Sequence, residues 1–372
     1  MPERTRSSFV FLVFLVCEAI MGMAAALPLP GADFPKERQF QTVEAGPGVI
    51  AFIAAETSGS FPSGNVVAVV GEEAVLVVDS GRFPTLARKM VSEIRRKTDK
   101  PVLYLVHTHW HLDHIAADAV FREAYPDAVF VSTAFTRRKI LDKQVPYVRD
   151  LGQTDAGYVR DLEAYLAGGK KRDGTPIPDD LRRSVSRDVA DLKLEMAELQ
   201  NAVLVAPSLT FEKELTVHLG KRDVRIMFLG KGNTAGDAVV IVPDARVVVT
   251  GDLLVAPVPY GHGCHPSEWI ETLKALTAID AVAIVPGHGP VMHDWSYAAR
   301  VSALLVALRT QVATAVAEGA TLEQTGQRVN LDAQRSVFAG DDKDLQQAFD
   351  NFFVSSAVPR AYQELKGEMA EE

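Results

Sequence analysis

The chain has 372 residues, of which 47% are hydrophobic and 23% are charged, and its formal net charge is -9. This length suits one large domain with additions or two smaller domains, and the composition is ordinary for a globular protein with a substantial core. The acidic balance, without a basic patch, argues against a nucleic-acid partner.

Residues 1–26 have the pattern of a secretory signal peptide. Arg4 and Arg6 precede an apolar run over residues 9–17, and small residues lead to a cleavage position after Ala26. Glu18 interrupts the apolar stretch, which is therefore too short for a membrane-spanning helix. We expect a periplasmic or secreted protein with no stable membrane anchor once the signal is removed, and residues 27–40 as a linker. A disordered leader is the alternative.

The chain has two cysteines, Cys17 and Cys264. Val16 stands where lipidation usually needs a small residue before the cysteine, so a lipoprotein is the lesser alternative. Removal of the leader leaves Cys264 alone, so no intrachain disulfide can form and the core has to supply the stability.

The segment from about residue 41 to residue 125 predicts strands followed by alternating helices and strands. The assignments rest on short apolar runs, on apolar residues at helical spacing, and on one continuous apolar run typical of a strand buried on both faces. In chain order we predict strands at 49–53, 65–70 and 73–78, a helix at 84–97, a strand at 102–106 and a helix at 117–125.

Residues 134–203 interrupt this alternation. Apolar residues between Leu181 and Leu199 recur at steps of three and four, which predicts one long amphipathic helix. A charged segment and the loop 168–171 precede it. We interpret the whole segment as a helical insertion that acts as a lid, offers a dimer surface or elaborates the packing, so a homo-oligomer stays open.

Strands resume after the insertion and give way to helices near the C-terminus. Thr321 and Gln324 have the spacing of a capping box at the start of a helix. We expect residues 301–372 to form a helical extension. The predicted elements are strands at 209–211, 215–217, 224–228, 238–242, 247–250 and 281–285, and helices at 269–276, 297–318 and 341–355.

Three histidines and an aspartate follow the predicted strand 102–106 within six residues. Imidazole and carboxylate groups suit Zn²⁺. If the backbone turns sharply after the strand, His109 and His111 can reach one ion while Asp113 and His114 reach a second. The sequence therefore predicts a zinc site with one or two ions per chain at the C-terminal end of this strand.

The run Thr-His-Trp-His-Leu-Asp-His at residues 108–114 resembles the signature of the metallo-β-lactamase superfamily. The resemblance covers roughly residues 41–295 and implies an α/β fold, a four-layer αββα sandwich with metals at one edge, over a domain at 41–300. It implies that Asp79 orients the motif loop, that Asp252 bridges two metals and that His288 is the last ligand.

One position departs from the family pattern. Asn233 stands where the family normally has the third imidazole of the first metal site, and an asparagine oxygen is a weak, neutral ligand for zinc. The second site keeps Asp113, His114, His288 and Asp252. We therefore predict an asymmetric centre with a tighter second site and a weaker first site.

Four further side chains are weaker candidates. His107 precedes the motif and is expected to support a ligand or to pack in the core rather than bind metal. His262 and His265 lie in a glycine-rich loop, and they either line the pocket, donate a ligand or face solvent. Tyr260 can polarise a substrate carbonyl, although a packed tyrosine is the commoner case.

The resemblance implies a hydrolase that uses metal-bound hydroxide, with Asp252 as the bridge and Asp113 as ligand and proton shuttle. The expected substrate is a small molecule with an ester, lactone, thioester or amide bond, β-lactams included. Because an aspartate stands at position 252, the chain looks less like the di-zinc β-lactamases than like thioesterase, lactonase and phosphodiesterase branches. The alternative is a catalytically weak zinc-binding envelope protein.

Overall fold

The computed structural model of the protein describes residues 39–55, 62–171, 174–200 and 202–369. The expected signal peptide and most of the expected linker lie outside the described residues. The strands are β1 (Phe40–Gly46), β2 (Val49–Ala54), β3 (Val66–Val70), β4 (Val75–Val78), β5 (Val102–Val106), β6 (Val129–Thr133), β7 (Leu209–Phe211), β8 (Glu214–His218), β9 (Asp223–Phe228), β10 (Ala238–Val242), β11 (Val247–Val255) and β12 (Ala283–His288).

Helices connect and cover these strands. Two π-helical segments, Ile140–Gln144 and Asp350–Val354, continue into helices on both sides, and a short 3₁₀ turn spans Pro243–Ala245. The α-helices are α1 (Pro84–Lys97), α2 (Leu112–Ile115), α3 (Asp118–Ala124), α4 (Ala134–Lys139), α5 (Val145–Gly168), α6 (Asp179–Leu199), α7 (Pro266–Thr277), α8 (Ser296–Ala317), α9 (Leu322–Arg328), α10 (Asp332–Ala339), α11 (Lys343–Phe349) and α12 (Ser355–Lys366).

The strands form two sheets. β1 to β7 lie side by side in chain order, antiparallel from β1 to β4 and parallel from β4 to β7. The second sheet has the order β12-β11-β10-β9-β8, in which β11 and β12 are parallel and the other neighbours antiparallel. Both sheets thus contain parallel strands, whose carboxyl ends are the usual place for a ligand site.

Alternation along the strands creates two separate cores on the two faces of the first sheet. In β2, Val49 and Ala51 pack between the sheets with Val240 and Val249 of the second sheet. Phe52, which follows Ala51, points the other way and packs with the helices on the outer face. This period of two is what a strand buried on both faces requires.

Helices cover the outer face of each sheet. Met90 of α1 and Phe121 of α3 are buried against the first sheet. Trp269 of α7 and Leu305 of α8 are buried against the second, together with the C-terminal helices. The order helix, sheet, sheet, helix confirms the four-layer αββα fold that the family resemblance implied.

The segment between β6 and β7 is helical, as expected, but it contains two long helices rather than one. The predicted long helix is α6, while α5 runs through the segment that was described only as charged. The helices pack against each other through Val159, Val189 and Leu192. Leu151 and other apolar residues of the pair also pack on Leu112, inside the metal motif.

A buried ion pair attaches this insertion to the loop that follows β4. Arg82 donates to Glu195 of α6, whose side chain is 1% exposed. Thr85 of α1 donates its backbone N–H to Glu198, one turn further along the same helix. The insertion is therefore fixed to the edge of the first sheet where the motif loop begins.

The C-terminal helices pack on the second sheet. Thr321 and Gln324 form the predicted capping box. The tail helix predicted for residues 341–355 is in fact α11, a π-helical segment and α12, which together reach Lys366. By length and composition alone, α8 is the one helix of the described ranges that could cross a membrane. Its buried Val301 and Leu304 belong to the core on this sheet and account for that apolar character.

Candidate metal centre

The predicted ligands meet where the carboxyl ends of four parallel strands come together. Asp79 directly follows β4, and the motif loop at residues 107–111 follows β5. Asp252 lies within β11 and His288 ends β12, the neighbouring strand of the second sheet. The site is thus built from both sheets at one shared edge.

Asp79 organises the motif loop through both of its carboxylate oxygens. Thr108 donates its backbone N–H to Asp79 Oδ1 and its hydroxyl to Oδ2, each at 2.8 Å. His114 Nδ1 lies 2.9 Å from Oδ2, and since a carboxylate only accepts, the ring donates from Nδ1. This contact orients the ring and leaves Nε2 for a metal, the arrangement typical of ligating histidines.

The same network sets the tautomer of His109. Because the Thr108 hydroxyl gives its proton to Asp79, its 3.0 Å contact with His109 Nδ1 is one in which the ring donates. The lone pair is then on His109 Nε2, which is buried and has no hydrogen-bond partner among the described residues. A buried, unpartnered nitrogen is expensive unless a cation fills the position.

Two groups of donor atoms lie side by side, and within each group the atoms are within 4.8 Å of one another. The first group is His109, His111 and Asp252; the second is Asp113, His114 and His288. Each group takes two side chains from the motif that follows β5 of the first sheet and one from the second sheet.

Asp252 links the two groups. Its Oδ2 lies 3.5 Å from His109 Nε2, and its Oδ1 lies 3.2 Å from His114 Nε2 and 3.6 Å from His288 Nε2. In the second group, Asp113 Oδ2 lies 2.9 Å from His288 Nε2. One carboxylate facing both groups is the geometry expected of a bridging ligand.

The charges at the centre call for a cation. Burial alone would raise the pKa of Asp252, but His114, His109 and His288 hold it well below its usual value. Burial alone would lower the pKa of His114, but Asp252, Asp113 and Asp79 outweigh it and raise the pKa well above the usual range. The clustered carboxylates therefore favour positive charge at the centre, which a divalent metal would supply.

His111 is the neutral member of the first group. Desolvation of its ring, followed by repulsion from His109, lowers its pKa to about 3. The ring therefore stays uncharged at neutral pH, which is the form that ligates a metal. The donor set of imidazoles and carboxylates, with its unpartnered buried nitrogen, fits zinc.

Asn233 is buried, and its amide orientation is fixed. Its Nδ2 donates to the Tyr260 carbonyl at 2.9 Å, and because a carbonyl only accepts, the nitrogen has to face it. Asn233 Oδ1 is buried and has no hydrogen-bond partner in the described part of the chain. That Asn233 stands in for an imidazole of the first site stays a prediction.

The loop around Asn233 is held rigidly. Asp237 accepts hydrogen bonds from the Thr234 backbone N–H at 2.9 Å and from the Thr234 hydroxyl at 2.6 Å. His265 donates its backbone N–H to the Gly232 carbonyl at 2.9 Å. His265 therefore supports this loop through its main chain, and within the described ranges it belongs to neither donor group.

Tyr260 lies at the centre rather than in a remote core. Its ring packs edge-on against His111, with ring centroids 5.9 Å apart. Burial, followed by the charges of Asp113 and Asp252, raises the pKa of its hydroxyl, so the phenol stays protonated. His262 is exposed on the outer side of Tyr260, at a centroid distance of 6.2 Å.

His107 supports the site from behind, as expected. It is fully buried, and its Nε2 lies 2.9 Å from Asp118 Oδ1. Ser80, next to Asp79, donates its hydroxyl to the same oxygen at 2.9 Å. His107 therefore fixes the start of the motif loop.

Sequence reasoning missed three residues that shape the centre. Asn65 donates its amide hydrogens to the carbonyls of Pro286 and Gly289, both at 2.9 Å, and so fixes the loop that presents His288. At Gly64, an added Cβ would lie 2.4 Å from the His114 ring; at Gly287 it would lie 2.0 Å from Asp252 Oδ1. No local signal marks these positions, because the partners are far away in sequence.

Among curated proteins, a linear primary-alkylsulfatase from Pseudomonas sp. (strain ATCC 19151) is 26% identical over 225 residues, which is 58% of this chain and 40% of that protein. The chain thus spans less than half the length of this relative.

Two solved structures share the fold. A metallo-beta-lactamase from Pontibacter korlensis has a TM-score of 0.51 at 19% identity, covering 72% of this chain and 99% of that one. DIM-1 metallo-beta-lactamase exposed to ceftazidime has a TM-score of 0.50 at 15% identity, covering 74% and 99%. A family model of the metallo-beta-lactamase superfamily matches residues 59–288. The chain belongs to the metallo-beta-lactamase superfamily, whose members are generally zinc-dependent hydrolases.

Proposed function

We propose that this protein is a zinc-dependent hydrolase that cleaves an ester, lactone, thioester or amide bond in a small molecule. The observation that carries the proposal is the pair of adjoining donor groups, with Asp252 between them. The alkylsulfatase relative adds sulfate esters to the bonds worth testing. The solved neighbours share only the fold and give no preference for β-lactams.

Six side chains would hold the metal. Asp113, His114 and His288 would bind one ion, and His109, His111 and Asp252 the other, with Asp252 facing both. When bound, zinc acts as a Lewis acid and lowers the pKa of a coordinated water to about 7.

The protein's own side chains position the metal ligands and move protons. Asp79 holds His114 in place through Nδ1. Asp113 is 15% exposed, against 3% for Asp252, so it is the carboxylate through which a proton can pass to solvent. This exposure supports Asp113 as the proton shuttle. The protonated Tyr260 hydroxyl is available to donate to a substrate oxygen at the outer side of His111.

One observation favours a second candidate, a catalytically weak zinc-binding protein. Asn233 offers a neutral amide oxygen in place of an imidazole, so the first group has three donors and binds its ion more weakly. The two candidates differ in turnover and not in fold.

The test is a substrate panel on protein of known zinc content. We expect hydrolysis of at least one carboxylic ester, lactone, thioester, β-lactam or sulfate ester, lost in the Asp252→Ala variant. If protein with both sites filled turns over no substrate of the panel, the result favours the second candidate, a catalytically weak zinc-binding protein. Lys221→Ala, an exposed surface change, is the control for purification and folding.

We also propose that the protein is exported to the periplasm or secreted. The support is the basic and apolar leader ending at Ala26. N-terminal sequencing of the protein from its native host should begin at Leu27. A mature protein that starts at residue 1 would contradict export by this leader.

A further inference from the structure

A row of aromatic rings leads outward from the metal centre. The inner ring is His111, and Tyr260 packs edge-on against it at 5.9 Å between centroids. Phe352 packs on Tyr260 at 6.4 Å, with the ring planes tilted by 47°. The row therefore starts at the candidate ligands and ends at Phe352.

Phe352 is a half-exposed phenylalanine in a well-anchored segment. It is 51% exposed, whereas the neighbouring Phe353 is fully buried in the core on the second sheet. Its carbonyl accepts a hydrogen bond at 2.8 Å from the backbone N–H of Gly261, directly after Tyr260. An added Cβ at Gly261 would lie 3.1 Å from the Phe353 carbonyl, so the two chains are in close contact. The exposed ring is thus held in place beside the site.

This placement comes from outside the common fold. Phe352 belongs to the π-helical segment Asp350–Val354 of the C-terminal extension, beyond the residues 59–288 that match the family. π-helical segments often occur at functional sites. Single apolar residues on a surface are ordinary and need no explanation. Phe352 differs, because it is half exposed and contacts a ring that packs on a candidate ligand, which indicates a role in binding.

An aromatic ring also packs on the other flank of His111. Trp110 packs against His111 at 4.7 Å between centroids. Lys143, in the π-helical segment of the insertion, holds its ammonium 5.9 Å from the Trp110 ring centroid. Each addition to the fold therefore places a side chain against a ring that packs on His111, with Lys143 on Trp110 and Phe352 on Tyr260.

We infer that Tyr260 and Phe352 form a subsite for the apolar arm of the substrate, an alkyl or aryl group, while the bond to be cleaved lies at the metal centre. The inference rests on the proposed hydrolase function and adds a substrate class to it, esters with an extended apolar group. The His111 and Phe352 centroids are at most about 12 Å apart. An extended alkyl chain advances about 1.3 Å per carbon, given bonds of about 1.5 Å, so the row spans at most roughly nine carbons.

The experiment compares acyl esters of one alcohol, with acyl chains of two to twelve carbons. We expect kcat/KM to rise with chain length, roughly twofold to fourfold per added methylene as it leaves water, and to level off at or below roughly nine carbons. Phe352→Ala should flatten the rise at the long end. Phe352→Leu, which keeps an apolar side chain, should retain most of the rise.

A matched control is Val337→Ala, which removes a half-exposed apolar side chain from α10 of the same extension. It should leave the chain-length profile intact. Thermal unfolding and circular dichroism should show Phe352→Ala to be folded; Phe352→Gln, which keeps more of the side-chain volume, is the second variant. Equal chain-length profiles for the wild type, Phe352→Ala and Phe352→Gln would overturn the proposed subsite.

A binding measurement separates this inference from the hydrolase proposal. Calorimetry with octanoate and butanoate on the zinc-loaded protein should give octanoate at least about tenfold tighter binding, a preference lost in Phe352→Ala and kept in Val337→Ala. If no ester is cleaved but this preference holds, the subsite stands and the hydrolase proposal fails. If esters are cleaved but neither profile nor preference depends on Phe352, the subsite fails and the hydrolase proposal stands.

Discussion

Adding one methyl group at Gly287 should disrupt the metal centre. Gly287 lies in β12, where the chain passes directly behind Asp252 of β11. A Cβ at this position would lie 2.0 Å from Asp252 Oδ1, 2.8 Å from the Gly251 carbonyl carbon and 2.9 Å from the Asp252 nitrogen. Ordinary contacts of a Cβ begin near 3.4 Å. Two of the three neighbours are backbone atoms, so a side-chain rotation cannot relieve the overlap.

The Gly287→Ala variant therefore has to move Asp252 or separate β11 from β12. Overpacking of this kind costs about 1–3 kcal/mol of folding stability. Displacing the carboxylate that faces both donor groups should also weaken zinc binding, by about 10–100-fold or more by analogy with loss of supporting groups around metal ligands. We expect both effects, since the same contact causes them.

The assay is urea unfolding of the metal-free protein together with zinc affinity from competition with a chelator. Gly326→Ala is the matched control, because no atom lies within 4 Å of a Cβ built there and the residue lies inside α9. Alanine in a helix interior should raise stability by up to about 1 kcal/mol relative to glycine. Wild-type zinc affinity in Gly287→Ala, or an equal loss in Gly326→Ala, would refute the reasoning.

Three further substitutions test other parts of the structure. Asp79→Asn removes the charged carboxylate that accepts a hydrogen bond from His114 Nδ1, so zinc affinity should fall about 10–100-fold. An unchanged zinc affinity in competition with a chelator would show that Asp79 does not orient the ligand. Asn233→His should add an imidazole to the first donor group and tighten its zinc, as measured by equilibrium dialysis, and unchanged stoichiometry and affinity would contradict the assignment of this position. Arg82→Ala should destabilise the protein by about 3–5 kcal/mol, because it leaves the 1% exposed Glu195 without its cation. Adding Glu195→Gln to Arg82→Ala should restore part of that loss in urea unfolding, and a double variant no more stable than the single one would count against the buried ion pair.

Much of the fold could be predicted because its strands and helices have regular apolar patterns. The bounds of α1 and β5 agree with the predictions to the residue. α5 was missed because glycines and charged residues interrupt its apolar positions, and it buries them mainly against α6. β11 was predicted too short, since the pattern ends at Thr250 whereas pairing with β12 carries the strand to Val255.

The donor set could be proposed because the clustered motif follows a predicted strand and because the family resemblance implied Asp252 and His288 as the remaining ligands. The residues that surround the donor set could not be predicted in this way. Asn65 and the carbonyl of Pro286 are 221 positions apart, and only the folded chain shows that they meet. Both a packed tyrosine and one that polarises a substrate carbonyl were open for Tyr260, and its contact with His111 depends on the path of the loop after β11. Phe352 belongs to a segment that the pattern assigned simply to a helix.

Each donor group draws two side chains from one sheet and one from the other. A bound ion therefore acts as a cross-link between the two halves of the sandwich, and its binding free energy adds to the free energy of unfolding. For a ligand that binds only the folded state, the gain is about 2.7 kcal/mol at one hundred times Kd and about 4.1 kcal/mol at one thousand times Kd. The resistance of this protein to unfolding should thus follow the free zinc concentration of its surroundings, and a chelator should act on it as a denaturant does.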